Sequence, residues 1–498
     1  MAVVEGIGGP AVGTPATPRR GELRPPAAVK FFYSIGQFIE SGYLAINTFI
    51  FFYYTAVLGI SGSLVGLALA ISMAVDAVFD PLIGSLTDNV RSRFGRRLPV
   101  MLIGGPLMAL SVGLLFAPPS ALAPFLLFLW LTVTKLALRG FASMFNLPYF
   151  ALGAEMADGY VERSSIVAYR TVGGIVVGVL ITIIAYSVVF AGPGGLQRLE
   201  SYPVFGWSIA AMCLGGAAIC CLGVWRYAAH LPQPTTTPKP LWRSLAPEVA
   251  EIFRNRSFRT LFFSALLAYV AAGLNGALNA HLAVFVWKVR PEAIQIVTFA
   301  YLFGIIIGVP LTPLLLRRME KRSAVLVGLA MVILSWSVLP SLRATGLFML
   351  TGEPVVPWLA ANFWFAGVGT GFLAIAYPSM MADAADEHEL RFGSRREGMY
   401  FAGLGFAAKA AAGGGSLLGG LAIDLLHFPK EAGRQIGVAL PEDLLAGLAI
   451  AWGPAAGAIA GISALMLIPY GITRARHDEI AARLKVKRAL DVAEGRSS

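Results

Sequence analysis

The chain has 498 residues, 57% of them hydrophobic and only 13% charged, and its mean hydropathy is +0.71. That is more nonpolar surface than a soluble fold of this length can bury, so the composition excludes a soluble protein and points to a polytopic membrane protein. The formal charge of +11 does not point to nucleic acid, because the basic residues sit in short connections between apolar runs and form no stripe.

Residues 1–30 are rich in Gly, Pro, Ala and Thr, carry no signal-peptide core, and read as a disordered cytoplasmic tail. Beyond them, apolar runs of about 18 residues or more predict about twelve helical spans, at 31–57, 63–87, 98–117, 122–154, 165–191, 205–228, 258–287, 291–316, 323–345, 355–379, 399–428 and 443–473. Residues 230–256 are long, polar and proline-rich, as suits a linker between an N-terminal six-helix bundle, 31–229, and a C-terminal one, 257–473. A charged tail, 474–498, continues as a helix that rests on anionic lipid or stays solvated. Roughly 29 of the 39 Lys and Arg residues lie in the tails and the even-to-odd connections, which puts both termini in the cytoplasm. Cys213, Cys220 and Cys221 share one apolar run, with neither metal spacing nor a disulfide framework.

Inside the run from Leu64 to Leu86, Asp76 and Asp80 lie one helical turn apart, on one face. A carboxylate at membrane depth costs at least a few kcal/mol, so the pair calls for a compensating function or partner. The plain alternative is a buried ion pair that only holds helices together. The turn that follows carries Gly84, Asp88, Arg91, Arg96 and Arg97. There, Gly84 would let helices approach closely and Asp88 would pair with an Arg or cap a helix end. This layout resembles the signature of the major facilitator superfamily. Residues Gly308 to Arg322 echo it weakly at the matching place in the second half, as expected of an all-α fold of six plus six helices that rock about a central site.

Three stretches carry a more specific resemblance: Asp76–Arg97, Asn146–Arg170 and Met381–Phe401. Together they resemble the glycoside–pentoside–hexuronide:cation symporters, a likeness that runs over essentially all of 31–473. The resemblance implies an inner-membrane symporter working by alternating access, a monomer that takes a small-molecule substrate and a coupling cation, Na+ or H+, with no cofactor. It implies that Asp76 and Asp80 hold the cation, with Lys409 as their movable counter-charge. It implies a substrate-recognition role for Glu40 and a place in the site for Arg170. It also implies a cytoplasmic gate in the mixed-charge loop of Asp383, Asp386, Glu387, Glu389, Arg391, Arg395 and Arg396.

The chain departs from the sugar-transporting members of that family. Their sugar-binding aspartate falls on Asn146, a tryptophan on Phe150, an asparagine on Phe79, and a further tryptophan near Ala374. Melibiose-like specificity is therefore not expected. On the fourth span Lys135, Arg139, Ser143, Asn146 and Phe150 recur at three- and four-residue steps and share one face. Arg139 should lie at the depth of Asp76, either as a fixed counter-ion that leaves only proton coupling, or with Lys135 as receptor for an anionic group. Lys135 has a third reading, in which it snorkels to the surface. The expected solute is glycoside-like or anionic. The rival within transport is a lysophospholipid-type amphiphile, and the rival outside it a non-transporting sensor. An enzyme is not expected, since the chain has no nucleophile–base set, no HExxH, no phosphate loop and only five histidines.

Overall fold

The computed structural model describes residues 24–493, apart from 91, 93, 121, 158, 232–247, 395 and 431. In a bilayer each backbone N–H and C=O needs a partner within the protein, so apolar runs become helices. Among the described residues, ten helices are long and apolar enough to cross a membrane. Two further helical stretches precede them, consistent with the twelve expected crossings, which are numbered here in chain order. The first is Ala27–Ile35 and Gln37–Phe52, broken at Gly36, and the second is Gly62–Asn89. The third to sixth are Leu98–Phe116, Pro124–Glu155, Tyr160–Ile183 and Ser201–Ala229. The seventh to eleventh are Arg256–His281, Pro291–Arg318, Lys321–Ala344, Val356–Phe392 and Glu397–Leu425. The twelfth combines Glu442–Ile450 and Ala456–Met466.

An internal repeat is visible in the backbone. The first and seventh crossings both end in a five-residue π-helical turn, Tyr53–Val57 and Leu282–Val286. Such widened turns are uncommon and tend to mark functional regions. Glycines set how closely neighbouring crossings approach: a Cβ on Gly304 of the eighth would lie 2.2 Å from the carbonyl oxygen of Trp364 on the tenth.

The tenth helix is longer than its apolar run. It continues to Phe392, so Asp383, Asp386, Glu387, Glu389 and Arg391 are its final turns and not a loop. Arg391 donates to Glu387 one turn earlier at 2.6 Å, and such pairs carry a helix on past the point where apolar residues stop. The last helix, Arg474–Ala493, buries Ile480 and Leu484 in the apolar cluster of the second half. Its Arg488 pairs with Glu389 at 2.7 Å. One face of the tail is thus covered by protein rather than by lipid or water.

The halves meet on the side away from the chain termini. There Arg434 donates to the Val57 carbonyl at 2.7 Å, Gln197 to that of Gln435 at 3.1 Å, and Gly192 to Glu292 at 2.7 Å. Thr55 and His281, at the tops of the first and seventh crossings, are 3.0 Å apart. The second and eleventh crossings touch from Gly62 and Gly420 down to Ala70 and Gly413. Further down they part: Cβ atoms on Gly84, Gly398 and Gly405 would meet nothing within 4 Å, and Leu82, Leu86 and Phe406 are exposed. The molecule is therefore shut on the far side and open on the side of its termini.

Candidate substrate and ion-coupling site

Where the halves begin to part, charges from three crossings converge. Asp76 of the second crossing is fully buried and accepts from Arg139 of the fourth. Ser143, one turn on from Arg139, lies 3.4 Å from its other carboxylate oxygen. Lys409 of the eleventh crossing reaches over from the other half, 2.8 Å from Asp76 and also bonded to Asp80. Three- and four-residue steps along each helix put these groups on facing stripes, as the spacing on the fourth span requires. Two carboxylates and two cations close a neutral network, which is the condition for keeping charges at this depth. Its exposure is uneven: the Lys409 side chain is 42% exposed and Asp80 24%, against 0% for Asp76. Lys409 and Asp80 therefore face the open side, and one Asp80 oxygen is buried with no hydrogen-bond partner.

A second group lies beside it. Asn146 donates to Glu40 at 2.6 Å, and the Arg170 guanidinium stands 4.9 Å from the centre of the Phe150 ring. The asparagine is thus bonded to Glu40, and the phenylalanine ring supports a cation. A cavity of about 800 Å³ adjoins these groups between the first, fifth and eighth crossings.

Lys135 is fully buried and so does not snorkel. Its ammonium donates to Asn47 at 2.6 Å and, like Arg139, sits over the Tyr43 ring. Tyr43 and Asn47 were not foreseen, although Glu40, Tyr43 and Asn47 show the same helical steps that singled out the fourth span. Arg139 is engaged by Asp76 and Lys135 by Asn47, and both cations lie over the one Tyr43 ring.

Several of the residues expected to form a gate pair within their own halves. Arg96 and Arg97 both reach Glu155. Lys321 holds Asp383 at 2.7 Å, and Arg396 reaches Glu248 at 3.1 Å. Asp386 lies in the last turns of the tenth crossing. Gly84 makes no close approach, because the second and eleventh crossings have separated at its level. Arg91, Arg395 and the Asp88 side chain lie outside the described residues. Sequence reasoning also missed Asp424, whose carboxylate binds Ser61, Gly62 and Ser63 of the opposite half. An acid closing an apolar run gives no sign of a partner some 360 residues away.

Comparison with known proteins identifies the family. The family described as MFS/sugar transport protein matches residues 34–474. An uncharacterised symporter of Synechocystis is 26% identical, covering 92% of this chain and 96% of its own. The isoprimeverose transporter of Lactiplantibacillus pentosus is 23% identical over 80% of each chain. A putative sulfoquinovose importer of Salmonella typhimurium is 25% identical over 80% of this chain and 81% of its own. Among solved structures, a bacterial homologue of the lysosomal transporter Spinster, inward-facing and unoccupied, superposes with a TM-score of 0.61 at 13% identity, covering 88% of this chain and 95% of its own. The match to a sequence family over nearly the whole chain, on a twelve-crossing helical fold, leads to one assignment: the chain belongs to the MFS/sugar transport protein family of membrane transporters.

Proposed function

We propose that this chain is a cation-coupled symporter that carries a glycoside-like or anionic organic solute by alternating access. The observation that supports it most directly is Lys409 of one half shared between Asp76 and Asp80 of the other, at the level where the halves part. A cation arriving at the acids competes with Lys409 for them, so ion occupancy and the contact between halves are linked through one side chain. The basic residues of the tails and even-to-odd connections favour cytoplasmic termini, and on that orientation this conformation is the inward-facing one.

The coupling ion we propose is the proton. Na+ needs several oxygen ligands to replace its water, whereas Arg139, Ser143 and Lys409 already occupy Asp76. Arg139 stays on Asp76 as its fixed partner, and Asp80, which shares Lys409 and faces the opening, is the coupling acid. Relatives named for isoprimeverose and sulfoquinovose support a sugar-derived solute. Recognition falls to Glu40, Asn146, Phe150 and Arg170, with Lys135 receiving the anionic group of a charged solute once the far side opens.

The test is proteoliposome uptake over a panel of glycosides and hexuronides, with proton and Na+ gradients imposed separately on wild type and Asp80→Asn. Accumulation driven by the proton gradient and lost in the variant supports the proposal. Accumulation driven by Na+ alone overturns the proton assignment, and uptake indifferent to both gradients overturns symport.

A further inference from the structure

Thr55 and His281 meet where the two π-helical turns of the internal repeat come together. Thr55 lies within Tyr53–Val57, and His281 is the last residue before Leu282–Val286. His281 is fully buried, and Phe51, Phe52, Phe285 and Phe428, drawn from both halves, pack around its ring with centroids 4.9 to 6.4 Å away. Its protonation state follows from its partners. The Thr55 hydroxyl has a single hydrogen and donates it to the Phe51 carbonyl at 2.7 Å, so at 3.0 Å it accepts from His281 Nε2–H. Nδ1 is buried with no hydrogen-bond partner among the described residues. It is therefore the bare nitrogen of a neutral imidazole, since a proton there would be an unpaired buried N–H and would charge the ring. The carboxylates on the elements packed around the ring are engaged elsewhere: Asp424 by Ser61, Gly62 and Ser63, and Glu442 by Arg343, while Asp443 is exposed. Of the other titratable and charged groups there, Tyr53 and Tyr54 donate to the carbonyls of Phe116 and Leu115, Arg434 donates to that of Val57, and His427 and Lys430 are exposed. Phenyl rings attract a cation less than the water it loses, and they offer Nδ1–H no oxygen acceptor.

We propose that His281 is a proton site that stays empty while the far side is shut and fills when it opens, so that acid on that face favours opening. Parting Thr55 from His281 breaks the aromatic enclosure and lets water reach Nδ1, and an imidazole open to water takes up a proton at about pH 6.5. Below that pH the open state holds one more proton than the shut state, so the open-to-shut ratio rises as pH falls; above it both hold the same number and the ratio is flat. Before the halves close again the proton returns to the side it came from, so the site biases the conformation without adding to the protons carried across. This goes beyond the symport reading: it rests on alternating access but not on which acid couples. With cytoplasmic termini the far face is outside the cell, so the same acidic exterior that supplies coupling protons also turns the molecule toward external solute.

The test follows spin-label distances between Leu199→Cys and Ile436→Cys, both exposed on the far side, from about pH 8 to about pH 5, either side of the imidazole range. The parent protein carries Asp80→Asn, which removes the titration of the coupling acid, and Asp424→Ala, which loosens the far-side contact so that both states are populated. An imidazole that titrates at about pH 6.5 in the open state alone raises the open-to-shut ratio about thirtyfold over this range. Added to the parent, His281→Gln keeps a donor for Thr55 but takes up no proton, and the ratio should then change about twofold or less. His427→Gln, at an exposed histidine of the same face, should keep the full response. Equal responses with and without His281, or a response lost in His427→Gln, overturn the proton site. Gly420→Leu supplies the open reference, because a Cβ on Gly420 would lie 2.0 Å from the Gly62 carbonyl oxygen. Longer distances in that variant with no pH response in the parent leave alternating access intact and overturn the proton site. If Gly420→Leu also gives only short distances, the proton site and alternating access fall together.

Discussion

Asp424 caps a helix in the other half of the molecule: its carboxylate accepts the backbone N–H of Ser63 at 2.8 Å, at the start of the second crossing, while lying itself at the end of the eleventh. The same carboxylate takes the N–H of Gly62 at 2.8 Å and the Ser61 hydroxyl at 2.6 Å. A negative charge on a helix N-terminus gains from the unpaired N–H groups and from the dipole. In this conformation the contact ties the two halves together on the shut side. Asp424→Ala should remove about 1–2 kcal/mol from the shut state, shifting the equilibrium roughly five- to thirtyfold toward opening there. Spin labels at Leu199→Cys and Ile436→Cys, both exposed on that face, should then give a longer distance distribution. An unchanged distribution would mean that Asp424 does not hold the far side closed.

The two acids should separate stability from coupling. Asp76 is fully buried against Arg139, and removing one member of such a pair leaves the other charge uncompensated, at a cost of about 3–5 kcal/mol. Both Asp76→Asn and Arg139→Gln should therefore lower the melting temperature markedly, and the double variant should recover much of it without recovering accumulation. Asp80 is 24% exposed and faces the opening. Asp80→Asn should lose gradient-driven accumulation with little change in melting temperature. If the Asp80 variant melted as early as the Asp76 variant, the division between a fixed buried pair and an acid facing the opening would fail.

Lys135 offers a different contrast, because its partners are an amide and a ring and not a carboxylate. It lies one turn nearer the shut side than Arg139, so solute reaches it only when that side opens. Lys135→Met removes a buried charge that has no counter-ion among the described residues, a change that is often neutral or stabilising. The expected result is an unchanged or higher melting temperature, with uptake of hexuronides reduced and that of neutral glycosides spared. Equal loss of both solutes would assign Lys135 to the scaffold.

The sequence conveyed whatever repeats along a single helix. The apolar runs located the crossings, and three- and four-residue steps on the fourth span set Arg139 level with Asp76, where the structure has it. What it could not convey were contacts between helices far apart in the chain and the conformation adopted. Ser61 and Asp424 carry no mutual pattern, and the mixed-charge stretch after 379 reads as a loop because its helix is held by charge pairs and not by apolar periodicity. Gly84 shows the second limit. Its type suits close packing, but whether it is packed depends on which side of the transporter is shut.

That dependence gives two substitutions with opposite effects. Gly420 and Gly62 touch across the halves on the shut side, where a Cβ on Gly420 would lie 2.0 Å from the Gly62 carbonyl oxygen. Leucine at Gly420 cannot be accommodated without driving the second and eleventh crossings apart, so Gly420→Leu should favour the state open on the far side. At Gly84 a Cβ meets nothing within 4 Å in this conformation, and Gly84→Leu should fold normally. Alternating access brings the parted surfaces together, and the added side chain then obstructs them. Gly84→Leu should therefore hold the conformation described here, keeping solute binding while uptake falls about tenfold or more, as a block of roughly 1.4 kcal/mol or more on the closing step requires. The Leu199→Cys and Ile436→Cys label pair distinguishes the two, with longer distances expected for Gly420→Leu and a single short population for Gly84→Leu. Wild-type uptake in Gly84→Leu would mean that the second and eleventh crossings never close at that level, and the rocking motion would have to be hinged elsewhere.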